Sequence, residues 1–222
     1  MKKGLTLIEV LIYSMLMIFI LTGIYSVFTA SMQNYHLISS TIDVQKASLN
    51  TVHRLAKELS ESKLSYIKLY GTDPKGIVFL SPRNNNGVFQ YYMNASDSND
   101  SNNQKPMWQK YVVYYVDTDP EDSSSKAIIR KTEMLTTPSV SPTFNPQSIS
   151  YYQSLSGTSI PKNVLAHKVY SATFYWLNSG TVTYSIPTES PIYVTISALD
   201  IRNGVSKQNT FSATTALIVK NK

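Results

Sequence analysis

Glu9 is the one formal charge between Gly4 and Ile42, and it stands near the start of the apolar run Leu7-Ile8-Glu9-Val10-Leu11-Ile12. A carboxylate at the edge of a membrane-length apolar run is costly, so it marks a contact that function requires. A second carboxylate group lies in Asp117-Thr118-Asp119-Pro120-Glu121-Asp122. Asp117, Asp119, Glu121 and Asp122 could offer calcium hard oxygen ligands, but the run lacks the glycine that turns an EF-hand loop. A solvated acidic hairpin tip is the expected reading, with no metal assigned. His36, His53 and His167 are widely separated and have no ligand spacing, and there is no cysteine to serve as thiolate ligand or nucleophile. No nucleophile elbow or zinc pattern occurs, and 8 glycines give a phosphate cradle little material. Neither enzymatic chemistry nor a cofactor is expected.

The element that must position Glu9 is a helix. Residues 5–30 are long enough to span a bilayer, which takes roughly 20 apolar residues. Lys2 and Lys3 precede them, which places the N-terminus in the cytoplasm and the rest outside, as a single pass of the cytoplasmic membrane. A secretory signal peptide would have a shorter apolar core and a small-x-small cleavage site, where this chain has Phe28-Thr29-Ala30. A plain anchor accounts for everything except Gly4 and Glu9.

Gly4-Leu5-Thr6-Leu7-Ile8-Glu9, behind its short basic leader, resembles the processing motif of type IV pilins and type II secretion pseudopilins. The resemblance implies that residues 1–4 are a leader removed by a prepilin peptidase between Gly4 and Leu5. Leu5 would then be N-methylated, and Glu9 would be an assembly residue. Elementary chemistry agrees: glycine leaves the backbone open to a protease, and a neighbouring subunit's Leu5 amine would pair with Glu9 as helices pack. Leu55-Ala56-Lys57-Glu58-Leu59, Trp108–Val116 and Ile128-Ile129-Arg130-Lys131 look like the J-type pseudopilins and W-type minor pilins. Many major pilins break the apolar helix with a proline, whereas the first proline here is Pro74, which fits a minor subunit. The implied partners are other pilins or pseudopilins, the peptidase and an inner-membrane assembly platform, with a role in a priming or tip complex. The alternative is a pilus-borne binding module for adhesion or DNA uptake. The net charge of +6, or +4 without Lys2 and Lys3, is mild, and nucleic acid is not the expected partner.

Behind the span, residues 31–70 read as an amphipathic extension. Val52, Leu55, Ala56 and Leu59 form the i, i+3, i+4, i+7 stripe. Arg54, Lys57, Glu58 and Glu61 form a solvated face with Arg54/Glu58 and Lys57/Glu61 pairs. A helix from Leu5 to Leu64 would be about 90 Å long, with Ser39-Ser40-Thr41 as a local weak point. Residues 71–222 read as one β-rich domain, starting at the turn Gly71-Thr72-Asp73-Pro74. Strands are expected at Ile77–Leu80 and Val88–Met93, paired across Asn84-Asn85-Asn86-Gly87, and at Tyr111–Val116 with Ala127–Arg130. Val169–Leu177, Thr181–Ile186, Ile192–Leu199 and Thr210–Val219 form a meander turning at Asn178-Ser179-Gly180 and Asn203-Gly204. Polar loops are expected over residues 94–105 and 136–161. In the pairs Tyr91-Tyr92, Tyr114-Tyr115 and Tyr151-Tyr152, strand geometry buries one ring and exposes the other. The fold class is α+β: a long membrane-spanning helix packed on an antiparallel sheet, which the resemblance makes pilin-like.

Overall fold

The computed structural model describes residues 6–72, 74–155, 163–188, 191–198 and 211–219. It has an α+β layout: a 54-residue helix, α1 (Leu7–Ser60), followed by an antiparallel sheet. The chain divides into two compact units, Met1–Asp43 and Val44–Lys222.

In the first unit, α1 is apolar over Leu7–His36, long enough to cross a membrane. Its large side chains, including Leu11, Leu16 and Phe19, are exposed. Three hydroxyls within this stretch are turned back on the helix: Ser14 Oγ donates to the Leu11 carbonyl at 2.9 Å, Thr22 Oγ1 to the Ile18 carbonyl at 2.8 Å and Thr29 Oγ1 to the Tyr25 carbonyl at 3.0 Å. Such back-bonding leaves those hydroxyl protons satisfied without water, as a lipid environment demands.

In the second unit the end of α1 covers a sheet of β1 (Ile67–Tyr70), β2 (Gly76–Ser81), β3 (Trp108–Thr118), β4 (Lys126–Ser139), β5 (Asn163–Asn178), β6 (Thr181–Thr183), β7 (Ile192–Ala198) and β8 (Phe211–Leu217). The strand order is β1-β2-β3-β4-β5-β7-β8, with β6 a short partner of β5. Leu55 and Leu59 of the expected stripe are fully buried, and Val52 and Ala56 pack beside them. They meet Ile77 and Phe79 of β2, Val112 and Tyr114 of β3, and Phe174 of β5 in one core.

A second core occupies the opposite face, where Val78, Val113, Tyr115 and Ile129 meet Ile149 and Tyr152 of a six-residue helix, α2 (Ile149–Ser154). Ser148 caps α2 at its start by accepting from the Tyr151 amide. Its other end is closed by Lys131 of β4, whose Nζ donates to the Tyr152 carbonyl at 2.6 Å and the Leu155 carbonyl at 2.8 Å. A buried ammonium among carbonyls at a helix C-terminus is well placed electrostatically. Gly76 permits the close fit, since a β-carbon there would lie 2.7 Å from both Ile149 Cδ1 and the Tyr114 carbonyl oxygen.

Several expectations are corrected. The helix ends at Ser60, not Leu64, and Ile67–Tyr70 is strand β1 inside the region read as amphipathic helix. Lys63 adopts extended backbone before a single 3-10 turn, which redirects the chain into the sheet. Asn84 and Gly87 do form a turn, with the Gly87 amide donating to the Asn84 carbonyl at 3.0 Å. Val88–Met93 is nevertheless not a strand and makes only the bridges Arg83↔Phe89 and Tyr91↔Pro106. β2 is already flanked by β1 and β3, so no edge remains for it. The 136–161 loop is partly structured, as β4 runs to Ser139 and α2 lies within it. The last strands are not a simple meander, because β7 pairs with β5 rather than β6.

Other expectations hold. β3 pairs with β4, and Ser179 and Gly180 both have positive φ (49° and 83°), as a two-residue type I′ hairpin needs. α1 runs unbroken through Ser39-Ser40-Thr41, where a local weak point was expected. Tyr114 and Tyr115 are both fully buried, against the expected one-in, one-out pattern, because the sheet is covered on both faces here. Gly4, Leu5, residue 73, residues 156–162 and the Asn203-Gly204 turn lie outside the described residues.

Candidate functional site

Glu9 lies in the first turn of α1, where its carboxylate has a partner in the chain itself. The Thr6 amide donates to Glu9 Oε2 at 2.8 Å and the Thr6 hydroxyl to the same oxygen at 2.9 Å. In return the Glu9 amide reaches Thr6 Oγ1 at 3.4 Å. This is the reciprocal Thr-x-x-Glu capping box, which satisfies amides that the first helical turn leaves without acceptors. The motif residue is therefore also the helix start signal. Glu9 is solvent-exposed, so the capped carboxylate remains open to a second donor.

The four weak metal candidates do not converge on one point. Asp119 is 2% exposed and turns inward, accepting from the Glu121 amide and the Lys168 amide at 3.0 Å each. Its Oδ1 lies 2.9 Å from His167 Nδ1 on β5. Burial pushes the Asp119 carboxyl up, but these hydrogen bonds and His167 outweigh it and hold it below the usual carboxylate value. Asp122 accepts from the Ser124 amide and hydroxyl, Asp117 accepts from the Thr118 amide, and the exposed Glu121 carboxylate lies 3.7 Å from His167 Nδ1. Among the described residues no three His, Asp or Glu side chains are grouped to hold a metal ion. Asp119 instead ties the β3–β4 turn to β5 at Lys168, a residue of positive φ (55°). His167, read as an isolated histidine, belongs to this junction.

A third group of charges was not legible as a site. Glu58 is not on a solvated face: its Oε1 accepts from Arg54 Nε at 3.2 Å, and its Oε2 from Tyr114 OH at 2.9 Å and Arg130 Nε at 3.1 Å. Glu61 pairs with Arg83 of the β2–β3 connection through two bonds of 2.6 Å, rather than with Lys57. Beside these pairs opens a cleft of about 570 Å³ lined by Arg54, Glu58, Arg83, Lys110 and Arg130. Lys110 is buried and donates to the Asn84 carbonyl at 2.9 Å. Burial, followed by the Arg130 cation, holds its ammonium below the usual lysine value. The available signal was Lys110 and Arg130 interrupting two apolar, β-branched strands. Tyr114 and Tyr115, beside these cations, present no exposed ring on which a nucleic-acid base could stack.

No family model, curated protein or solved structure matches the chain.

Proposed function

We propose that this chain is a minor pilin or pseudopilin, cut by a prepilin peptidase between Gly4 and Leu5 and assembled through its N-terminal helix into a type IV pilus or type II secretion pseudopilus. Its place there is a priming or tip complex, and its partners are other pilins, the peptidase and the inner-membrane assembly platform. The observation that carries the reading is Glu9: a single exposed carboxylate in the first turn of an apolar helix whose large side chains have no cover. An apolar surface of that length needs lipid or neighbouring helices, and the carboxylate at its end needs a cation once water is excluded. The Thr6 cap holds the carboxylate in the interim, and a neighbour's Leu5 amine supplies the charge during assembly. The sheet domain, packed on the later part of the same helix, is the portion that contacts other subunits outside the membrane.

The test is to express Glu9→Val beside the wild type in cells that build filaments. The variant should insert and be cleaved normally and yet be missing from sheared filaments. Normal incorporation would sink the assignment of Glu9. Gly4→Leu should accumulate with its leader attached, and efficient cleavage of that variant would remove the peptidase from the reading.

A further inference from the structure

The face of the sheet beneath α1 changes character along its strands. Phe79 is followed by Ser81 on β2, Val112 is preceded by Lys110 on β3, and Ile128 is followed by Arg130 on β4. The helix sets Arg54 and Glu58 beside this polar end, and the cleft lies between them.

The charges there do not balance. Among the described residues, Arg54, Arg83, Lys110 and Arg130 pair with only two carboxylates there, Glu58 and Glu61. Arg83 is consumed by Glu61 and the Gly87 carbonyl. Arg54 and Arg130 each give Glu58 only their Nε, and Lys110 gives Asn84 one of its three ammonium protons. The terminal guanidinium nitrogens of Arg54 and Arg130 and two protons of Lys110 thus have no acceptor among the described residues. Lys110 is 7% exposed and Arg130 9%. Partly dehydrated cations held together repel one another, and a carboxylate entering between them would relieve that cost and accept several charge-assisted hydrogen bonds.

We propose that this cleft binds an acidic peptide segment of a partner protein, with a side-chain carboxylate seated between Arg54, Lys110 and Arg130. The volume of about 570 Å³ exceeds what one free oxyanion fills. Asn85, Thr132 and Asn163 on its walls offer the amide and hydroxyl groups that peptide N–H and C=O groups need. The cations converge on one place instead of running along a track, which suits a single carboxylate better than a nucleic-acid backbone. This inference does not depend on filament assembly.

The full-length chain in zwitterionic detergent would be titrated calorimetrically, at low ionic strength, with the blocked peptide acetyl-Gly-Glu-Asp-Gly-amide. Its Gln-Asn counterpart and inorganic phosphate would be run in parallel. The acidic peptide should bind saturably at one site, the Gln-Asn peptide should not, and Arg54→Gln should weaken binding about tenfold. Arg54 is half-exposed, so that variant keeps its fold, which an unchanged thermal midpoint would verify. Lys110→Met, a second variant, should also weaken binding. The proposal is overturned by the absence of saturable peptide binding, by binding that neither substitution alters, or by phosphate binding as tightly as the peptide.

Discussion

Leu16 and Leu59 are the same side chain on the same helix, yet Leu16 is 53% exposed and Leu59 is fully buried. The difference separates two ways of building a protein. The first unit satisfies its backbone and hydroxyls locally, through the capping box at Thr6 and Glu9 and the back-bonded Ser14 and Thr22. Its apolar surface is left for something outside the chain. The second unit does the reverse. Its charges find partners far away in sequence, as Glu58 does in Tyr114 and Arg130, and its apolar surface closes on itself in two cores. Local satisfaction with an open apolar surface suits a segment that inserts and assembles, whereas long-range satisfaction suits a domain that folds alone.

Substitutions in the second unit should therefore move the unfolding of the chain, and those in the first should not. Trp108 and Trp176, both buried in the second unit, report it by fluorescence during urea titration in detergent. Leu59→Ala should have the largest effect, a loss of about 3 kcal/mol from lost burial and a residual cavity; a loss under about 1 kcal/mol would mean the helix contributes little to the domain core. Glu58→Gln comes next, about 2 kcal/mol, because Arg130 loses its carboxylate in a nearly dry setting.

Asp119→Ala should cost about 1–2 kcal/mol near neutral pH by stranding the Glu121 and Lys168 amides. Its folded carboxyl titrates below its unfolded value of about 3.9, so this contribution is complete above that pH. It is lost as the pH falls through the lower folded value. The stability gap between wild type and Asp119→Ala should narrow in acid as the pH falls below about 4; a gap that widens there would contradict the sign. The smallest effect belongs to Leu16→Ala, less than about 0.5 kcal/mol on the same unfolding curve. A larger effect would show that the apolar stretch is packed within the folded chain after all.

The same contrast governs what could be read in advance. The helix and the stripe through Leu55 and Leu59 follow from periodicity, so the chain displays them directly; the Thr6–Glu9 cap is equally local but was missed, because Glu9 reads first as an assembly residue. The β3–β4 pairing and the Ser179-Gly180 hairpin were legible for the same reason: both join segments close in sequence. Strand β1 was missed because Ile67-Lys68-Leu69-Tyr70 reads as the tail of a helix until Lys63 turns the backbone. Helix α2 was missed because its composition is that of a polar loop, and only the uncovered Val78, Val113 and Tyr115 beneath it give it a reason to fold.

By itself, then, the sequence determined the membrane-length helix, the carboxylate at its head and the antiparallel class of the domain. These depend on composition and spacing within a few helical turns or one hairpin. The tertiary structure alone decided that Asp119 is a buried tie to His167, and that both tyrosines of Tyr114-Tyr115 are core. It alone gathered Arg54, Lys110 and Arg130 around one cleft. Those outcomes depend on which strands become neighbours and which faces are covered, and contacts between residues dozens of positions apart leave no local pattern to read.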